Sequence, residues 1–460
     1  MIRFDSNLFP KTEGAYIVGG SVRDLLLDRS PTDYDIAVSE NPEQLAKKMA
    51  ATAKGRLVKM GKPGQMIFRV VSSDHIFDIT LLNGESIAED LSKRDFTINA
   101  IAFDLKSGKI IDVLGGIKDL ADKKIRMISK EAFKKDPVRL IRAYRIGACL
   151  DFEIEPHTVS AIRNQSKQIQ NSAAERVRAE FFKMLGSPKS HAFLSQMADT
   201  QLLTTIFPEL GALKGCRQNR HHHYDVFEHT LRAYLHLETI LNDVKAFLPE
   251  TAGHISEWVD DDRASWLKCA ILLHDIGKPL KRTVDPDGNA HFFGHSRKGA
   301  DMALKIGKKL RFSTREKRFI DFIIRNHIRP LSLFLAHQNN TLTSKGKTRF
   351  FMKCGPDTAY LLLHAMADFM GKSDDHNSKK NMAFTLFLKD LIQTFFSDFK
   401  PRSNEPPLIT GDDLIGEFGL TPSPLFKKLL SRAKEAKLAN RVQNRKEALK
   451  LVKEMLNSRI

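Results

Sequence analysis

Two aspartates one residue apart, Asp33 and Asp35 in Thr32-Asp-Tyr-Asp-Ile36, are the pair in this 460-residue chain best suited to chemistry. In an extended strand, side chains two apart leave the same face, so both carboxylates can share hard divalent cations such as Mg2+. Ions bridged in this way support phosphoryl transfer, in which a hydroxyl attacks phosphorus and a phosphate leaves. Alone, D-x-D at a strand edge reads as a solvated turn. The preceding segment, Tyr16-Ile-Val-Gly-Gly-Ser-Val-Arg-Asp24, makes the pair more specific. It reads as a buried strand, a glycine pair and a helix start. Gly19 and Gly20 let the backbone approach a phosphate closely, and free N–H groups at the helix start face an anion. Ser21 can add a hydroxyl, and Arg23 a forked donor matched to phosphate oxygens.

A second constellation lies downstream: His229, the adjacent pair His274-Asp275, His295, His327 and Asp368, on apolar segments. Imidazole and carboxylate suit Mg, Mn, Fe, Co or Ni better than a thiolate zinc site. His274 and Asp275, joined by His229 and Asp368, can hold one divalent metal ion, and His295 and His327 can complete a second. The chemistry such a cluster supports is metal-assisted attack of water on a phosphoester. The run His221-His222-His223 reads as a loop. Lys278, after Ile276-Gly277, either orients a phosphate or faces solvent.

The elements that must carry these residues fall into two kinds. Residues 14 to about 128 alternate short β-rich runs (15–18, 35–38, 66–71, 75–81, 98–103 and 110–113) with helical stretches such as 42–53. That alternation predicts a small mixed sheet. Beyond about residue 130 strand signals nearly vanish, and 136–150, 173–185 and 190–201 have helical period. A second apolar helical region runs from about Val226 to Phe369. Asp374–Lys380 and the Pro-rich segment Pro401–Pro407 read as connections. From Leu425 to Ile460 eleven Lys or Arg face three Glu.

The chain carries a formal charge of +18, which favours a polyanionic partner through counterion release. Four scattered cysteines without a C-x-x-C form neither a disulfide frame nor a zinc site. No run approaches the roughly 18 apolar residues of a membrane span, and no signal peptide is evident, so a cytoplasmic location is expected and membrane association is not.

Five ordered blocks resemble the class II branch of the nucleotidyltransferase superfamily, which comprises CCA-adding enzymes and bacterial poly(A) polymerases. They are Gly19-Gly-Ser-Val-Arg-Asp24 with Asp33-Tyr-Asp-Ile36, Glu89 to Ala100 around Arg94-Asp95, Asp112-Val-Leu-Gly-Gly-Ile-Lys-Asp-Leu120, Asp136 to Arg145, and Glu175-Arg-Val-Arg-Ala-Glu180. The His and Asp cluster is similar to the HD phosphohydrolase domain fused to some of these enzymes, where it acts on RNA ends or nucleotides. Leu408 to Leu414 and the basic helices after Pro424 resemble their tail.

The resemblance implies an α+β fold: a mixed-sheet nucleotidyltransferase head (1–128), then an all-α neck (129–210), HD domain (211–375) and basic tail (376–460). It implies Mg2+ at Asp33 and Asp35, CTP and ATP as nucleotides, and tRNA as the acceptor, bound through its phosphates and shape. Asp136 and Arg139 become a protein template. Cytosine and adenine share an exocyclic amine beside an acceptor ring nitrogen, whereas guanine and uracil present the reverse. Arg94, Asp95 and Asn99 are implied near the sugar and triphosphate, with Arg142 and Arg145 close by.

Three departures bear on the product. Lys93 and Lys135 replace a usual Arg and Glu, and the stretch from Asp78 to Arg94 is short. Relatives that add the whole CCA carry a longer loop there, which leaves CC or one part of the tail open beside full CCA. Two other readings share the motifs: a poly(A) polymerase, and a hydrolase whose head only binds RNA.

Overall fold

A computed structural model describes residues 8–62, 65–218, 224–372 and 379–458. The chain divides into two compact units, Met1–Ile206 and Phe207–Ile460.

The first unit is built on a seven-stranded sheet: β1 Ala15–Val18, β2 Asp33–Val38, β3 Arg56–Lys62, β4 Gln65–Val71, β5 Ile76–Leu81, β6 Ile101–Asp104 and β7 Ile110–Asp112. Their order is β3-β4-β5-β2-β1-β6-β7. Only β2 and β5 pair in parallel, in register Asp35 with Asp78; the other pairings are antiparallel. Period-two alternation sorts the faces. Tyr34, Ile36, Val38, Phe68, Val70, Phe77 and Ile79 pack on one side with Leu45, Ala46 and Met49 of the helix Pro42–Thr52. Asp33, Asp35 and Asp78 therefore project from the other side, where Val18 and Ala37 pack with Leu91, Ala100 and Ala102.

The observed sheet differs from the expected strands in two places, one strand being unexpected and one shortened. Arg56–Lys62 pairs at the sheet edge, where its exposed Arg56, Lys59 and Lys62 hide any apolar alternation. The run 98–103 is split: Thr97–Asn99 forms a 3-10 turn, and the strand begins at Ile101.

That turn is locked from below. Asp112 accepts the N–H groups of Gly116 (2.9 Å) and Ile117 (2.8 Å), shaping the bend into the helix Gly116–Ala121. Asp119 on that helix accepts from the Thr97 hydroxyl (2.7 Å) and pairs with Arg126. A Cβ on Gly116 would stand 2.2 Å from the Thr97 carbonyl oxygen, so glycine is required for the helix to approach the turn. Past the sheet come α1 Val138–Leu150, α2 Ala174–Leu185 and the helix Ser190–Asp199. A small parallel ladder, Lys124–Ile125 with Glu153–Ile154, survives in the helical region.

Among the described residues the second unit is helical apart from a ladder of two-residue strands, Thr283–Val284 with Ala290–His291. Its main helices are α3 Val226–Asn242, α4 Asp261–Leu273, α5 His295–Lys309, α6 Thr314–Asn326 and α7 Thr358–Met370. Local signals set their starts: Asp225 and Asp260 cap α3 and α4, and Ser313 with Glu316 forms a capping box on α6. The expected connection Pro401–Pro407 is helical up to Asn404, since Pro401 takes an early position of the helix Lys400–Asn404 and breaks nothing. Of Asp374–Lys380 only the last two residues are described, opening the helix Lys379–Thr394; His221–His223 lie outside the described residues. The tail helices Gly411–Phe418, Pro424–Leu438 and Arg445–Asn457 share a core of Leu414, Leu429, Ala433, Ala448 and Val452. No helix among the described residues is long and apolar enough to cross a membrane.

Gly116→Ala is expected to destabilise the protein by about 1–3 kcal/mol, because the added methyl meets backbone that cannot yield. A thermal melt checks this, and an unchanged melting temperature would contradict the packing described.

Candidate active sites

In the head, Gly19 adopts φ 75° and ψ −140° as β1 turns into the helix Gly20–Leu26. A side chain there is strained and also crowded: its Cβ would lie 3.0 Å from Arg94 Nη1 and 3.2 Å from Asp35 Oδ2. The glycine thus leaves room for an arginine and an aspartate to face each other over the turn. The Ser21 hydroxyl is buried, accepting the Asp35 N–H at 3.0 Å and reaching the Val18 carbonyl at 3.4 Å. It braces the helix start against β2. Arg23 is likewise part of the frame, donating to Asn99 Oδ1 (2.7 Å) and to Asp24.

Asp33 and Asp35 stand two apart on β2, open to solvent on the face opposite the main core. Beside Asp35 in register is a third carboxylate, Asp78, held by both arms of Arg69 at 2.7 Å. Surrounding protein raises the Asp35 carboxyl above its ordinary range, Asp78 and Asp33 add to the rise, and Arg94 and Arg142 oppose it. A carboxylate crowded by others gains from a cation at its oxygens, which fits a divalent ion. Sequence reasoning missed Asp78. Its signal was Phe77-Asp78-Ile79, the same aromatic–Asp–Ile alternation that surrounds Asp35.

A buried polar chain runs from this face into the helices. Asp95 accepts from Asn99 (3.0 Å) and the Phe96 N–H (2.8 Å) and pairs with Arg142 at 3.2 Å. Burial alone would raise the Asp95 carboxyl, but Arg142 and these donors outweigh it and hold it below the usual range. Glu180 on α2 receives both Arg142 (3.0 Å) and Arg145 (2.5 Å). Arg94 pairs with Asp90 at 2.8 Å.

Asp136 is gripped by Arg176, at 2.9 and 2.7 Å, and lies 3.8 Å from Arg139. Arg139 donates through Nη1 to the Lys93 and Arg94 carbonyls, while its buried Nε has no hydrogen-bond partner. Arg176 and Glu180, one turn apart on α2, are the residues that sequence reasoning left unassigned within a block it had singled out. Lys93 is engaged with the short segment before it, donating to the Asn83 carbonyl and to Glu89.

In the second unit the six expected side chains converge in two groups, His229 with His274 and Asp368, and Asp275 with His295 and His327. His274 and Asp275 follow α4; His295 opens α5, His327 ends α6, and Asp368 lies on α7. Asp275 joins the groups: its Oδ2 is 3.1 Å from His274 Nε2, and its Oδ1 is 3.4 Å from His295 Nε2 and 3.8 Å from His327 Nε2. Each histidine places Nδ1 against a main-chain carbonyl: Gly371, Ile271, Phe292 and Ile324 for His229, His274, His295 and His327. A proton on Nδ1 leaves the Nε2 lone pair aimed inward, as metal-binding histidines require. Close approach depends on Gly277, whose Cβ would stand 2.2 Å from the His295 carbonyl oxygen.

Lys278 is buried, 2.6 Å from Asp275 Oδ2 and 2.6 Å from Gln218 Oε1, and so neither faces solvent nor is free. Burial would lower the His274 ring's pKa, but Asp275 and Asp368 carry it up to about 10. His327 is pushed well below the usual range by burial and by His274 and His295. The buried His274 Nε2 and Asp275 Oδ1 lack hydrogen bonds, while Asp275 Oδ2 is balanced by Lys278. Such orphaned, inward-facing donors fit divalent ions. A further histidine missed in the sequence, His364 on α7, lies against the cluster.

Three family models match in order: "Poly A polymerase head domain" over residues 15–126, "Probable RNA and SrmB- binding site of polymerase A" over 151–213, and "HD domain" over 226–347. The chain is 30% identical to an A-adding tRNA nucleotidyltransferase of Deinococcus radiodurans, covering 97% of each chain. It is 28% identical to a CC-adding tRNA nucleotidyltransferase of Thermus thermophilus, covering 96% of this chain and 93% of the relative. In fold it matches a Thermotoga maritima CCA-adding enzyme complexed with tRNA, with a TM-score of 0.62 and 21% identity over 96% of this chain and 91% of that one. With a glycine turn against paired aspartates in its head and an HD cluster behind, the chain belongs to the tRNA nucleotidyltransferase family.

Proposed function

We propose that the chain adds C and/or A residues to the 3′ end of tRNA from CTP and ATP, releasing pyrophosphate, in the cytoplasm. The observation that carries this is the placement of Asp33 and Asp35 on one face of β2, with Asp35 and Arg94 meeting over Gly19. Asp33 and Asp35 would hold Mg2+, which supplies charge neutralisation at the α-phosphate and the departing pyrophosphate. The turn at Gly19 and Gly20 leaves space for the triphosphate, and Arg94 offers positive charge beside it. Asp95, Asn99 and Arg142 fix the geometry of that wall through their mutual bonds, and Arg145 joins them through the Glu180 it shares with Arg142.

For base selection, Asp136 would accept from the exocyclic amine of C or A, and Arg139 would donate to the neighbouring ring nitrogen. The Arg139 Nε, which makes no hydrogen bond and lies 3.8 Å from Asp136, supports this, since a buried donor gains when a base supplies an acceptor. Guanine or uracil would leave both groups unsatisfied. Residues 1–128, 129–210, 211–375 and 376–460 are proposed as head, neck, HD domain and tail, with the basic tail contacting tRNA phosphates. The HD cluster would hold one or two divalent ions, favouring attack of water on phosphoesters at RNA ends or on nucleotides, with Lys278 balancing Asp275.

Asp35→Ala is expected to lower CMP incorporation into tRNA lacking its 3′ end at least about a hundredfold. The same variant should leave hydrolysis of bis(p-nitrophenyl) phosphate intact, and His274→Ala should reverse the pattern. Loss of both activities in either variant would contradict two separate sites. Asp136→Ala is expected to reduce preference for CTP and ATP over UTP and GTP at least about tenfold, read from single-nucleotide kcat/KM values. Long A tracts made without any use of CTP would instead identify a poly(A) polymerase.

A further inference from the structure

The side chains of Asp136 and Arg139, the pair proposed to read the base, stand close without hydrogen-bonding each other. Arg139 Nε lies 3.8 Å from Asp136 Oδ2, beyond hydrogen-bond reach, and is buried with no hydrogen-bond partner. The two residues share one helical turn, since the Arg139 N–H donates to the Asp136 carbonyl at 3.0 Å. A charge-assisted bond between such neighbours is strong, so their separation needs a cause. Each is held from its own side. Arg139 Nη1 is drawn to the Lys93 and Arg94 carbonyls, both at 3.1 Å. The Asp136 carboxylate is drawn to Arg176 on α2, whose Nη1 donates to Oδ1 at 2.9 Å and Nη2 to Oδ2 at 2.7 Å. A fork of this kind fixes the plane of the carboxylate as well as its position.

The placement of Arg176 does little for its own helix. It lies in the first turn of α2, where the helix dipole disfavours a cation. Half of its side chain is exposed, so the ion pair adds little to stability. One turn further along, Glu180 on the same face receives Arg142 and Arg145, so this face of α2 backs both the base-reading pair and the wall beside it. An ionised carboxylate has about four lone-pair positions, and the fork takes two. We infer that Arg176 is a positioning residue for base selection: it holds Asp136 off Arg139, so that the carboxylate and the guanidinium each keep a free position for C or A. Without it the two would pair, and the base would lose both the acceptor and the donor that read its edge. This rests on the base-selection reading of Asp136 and Arg139.

The test is single-nucleotide kcat/KM for CTP, ATP, UTP and GTP, measured with the full chain on tRNA lacking its 3′ end. Arg176→Met removes the guanidinium at similar side-chain length, Arg176→Lys keeps the charge without the fork, and circular dichroism shows that each is folded. Arg176→Met should lower the preference for CTP and ATP over UTP and GTP at least about tenfold, with a melting temperature close to that of the unaltered protein. Arg176→Lys should recover part of the preference, because one bond restrains Asp136 without fixing its plane. Combining Asp136→Ala with either Arg176 variant should lower the preference no further than Asp136→Ala alone, since both act through one carboxylate. A preference kept within about twofold in both Arg176 variants, or losses that multiply in the double variant, would overturn the inference. An unchanged preference in Asp136→Ala would instead overturn the base-selection reading beneath it.

Discussion

Like charges brought together on one face of a sheet are the constraint around which the first unit is organised. Asp33, Asp35 and Asp78 project from neighbouring positions of two parallel strands, and Asp33 and Asp78 both raise the cost of ionising Asp35. The fold answers with arginines drawn from separate elements: Arg69 from β4, Arg94 after the helix Ile87–Ser92, and Arg142 from α1. Burial by the surrounding protein, with the neighbouring carboxylates, outweighs that compensation, and the Asp35 carboxyl stays above its ordinary range. A face carrying three neighbouring carboxylates, opening onto a glycine turn, suits a cation bound together with a polyphosphate. The neutralised carboxylate, Asp95, lies deeper and belongs to the wall. Buried charge pairs there fix side-chain directions at a cost in desolvation, so their value is orientation more than stability.

The second unit solves a similar problem with histidine. Two carboxylates, Asp275 and Asp368, sit among imidazoles in the interior, and in the metal-free chain Lys278 and a protonated His274 supply the balancing charge. Divalent ions would take over that balance and displace the proton from His274. The four Nδ1 contacts to main-chain carbonyls at Gly371, Ile271, Phe292 and Ile324 fix the rings, and the turn at Gly277 lets the helices close. Both units thus hold clustered polar groups rigidly at the expense of the local electrostatics.

How much of this could be read in the chain depended on distance along it. Strands with one buried face announce themselves by alternation, and β1, β2, β4 and β5 did. The edge strand Arg56–Lys62 has no buried face to alternate against, so nothing marked it. The D-x-D pair was legible because its geometry is local to one strand. Asp78 needed the register of β5 against β2, and the Asp136–Arg176 grip needed two helices to meet. Neither is encoded in spacing. Ser21 and Arg23 were expected at a phosphate, whereas their present partners are backbone, Asp24 and Asn99. His364 was invisible for another reason: in Ala359-Tyr-Leu-Leu-Leu-His-Ala-Met-Ala367 the helix is apolar all round, and a histidine there looks like core. Pro401 misled because proline ends helices in their interiors but is tolerated at their starts.

The claim on which the rest stands is that Asp33 and Asp35 grip a divalent ion against a nucleoside triphosphate at the Gly19 turn. It is tested most directly by an anomalous difference map from crystals soaked with Mn2+ and a non-hydrolysable CTP analogue. The account requires a manganese peak within coordination distance of both carboxylates, with the analogue's phosphates over Gly19 and Gly20. A peak remote from the two aspartates, or a triphosphate bound away from the glycine turn, would contradict it.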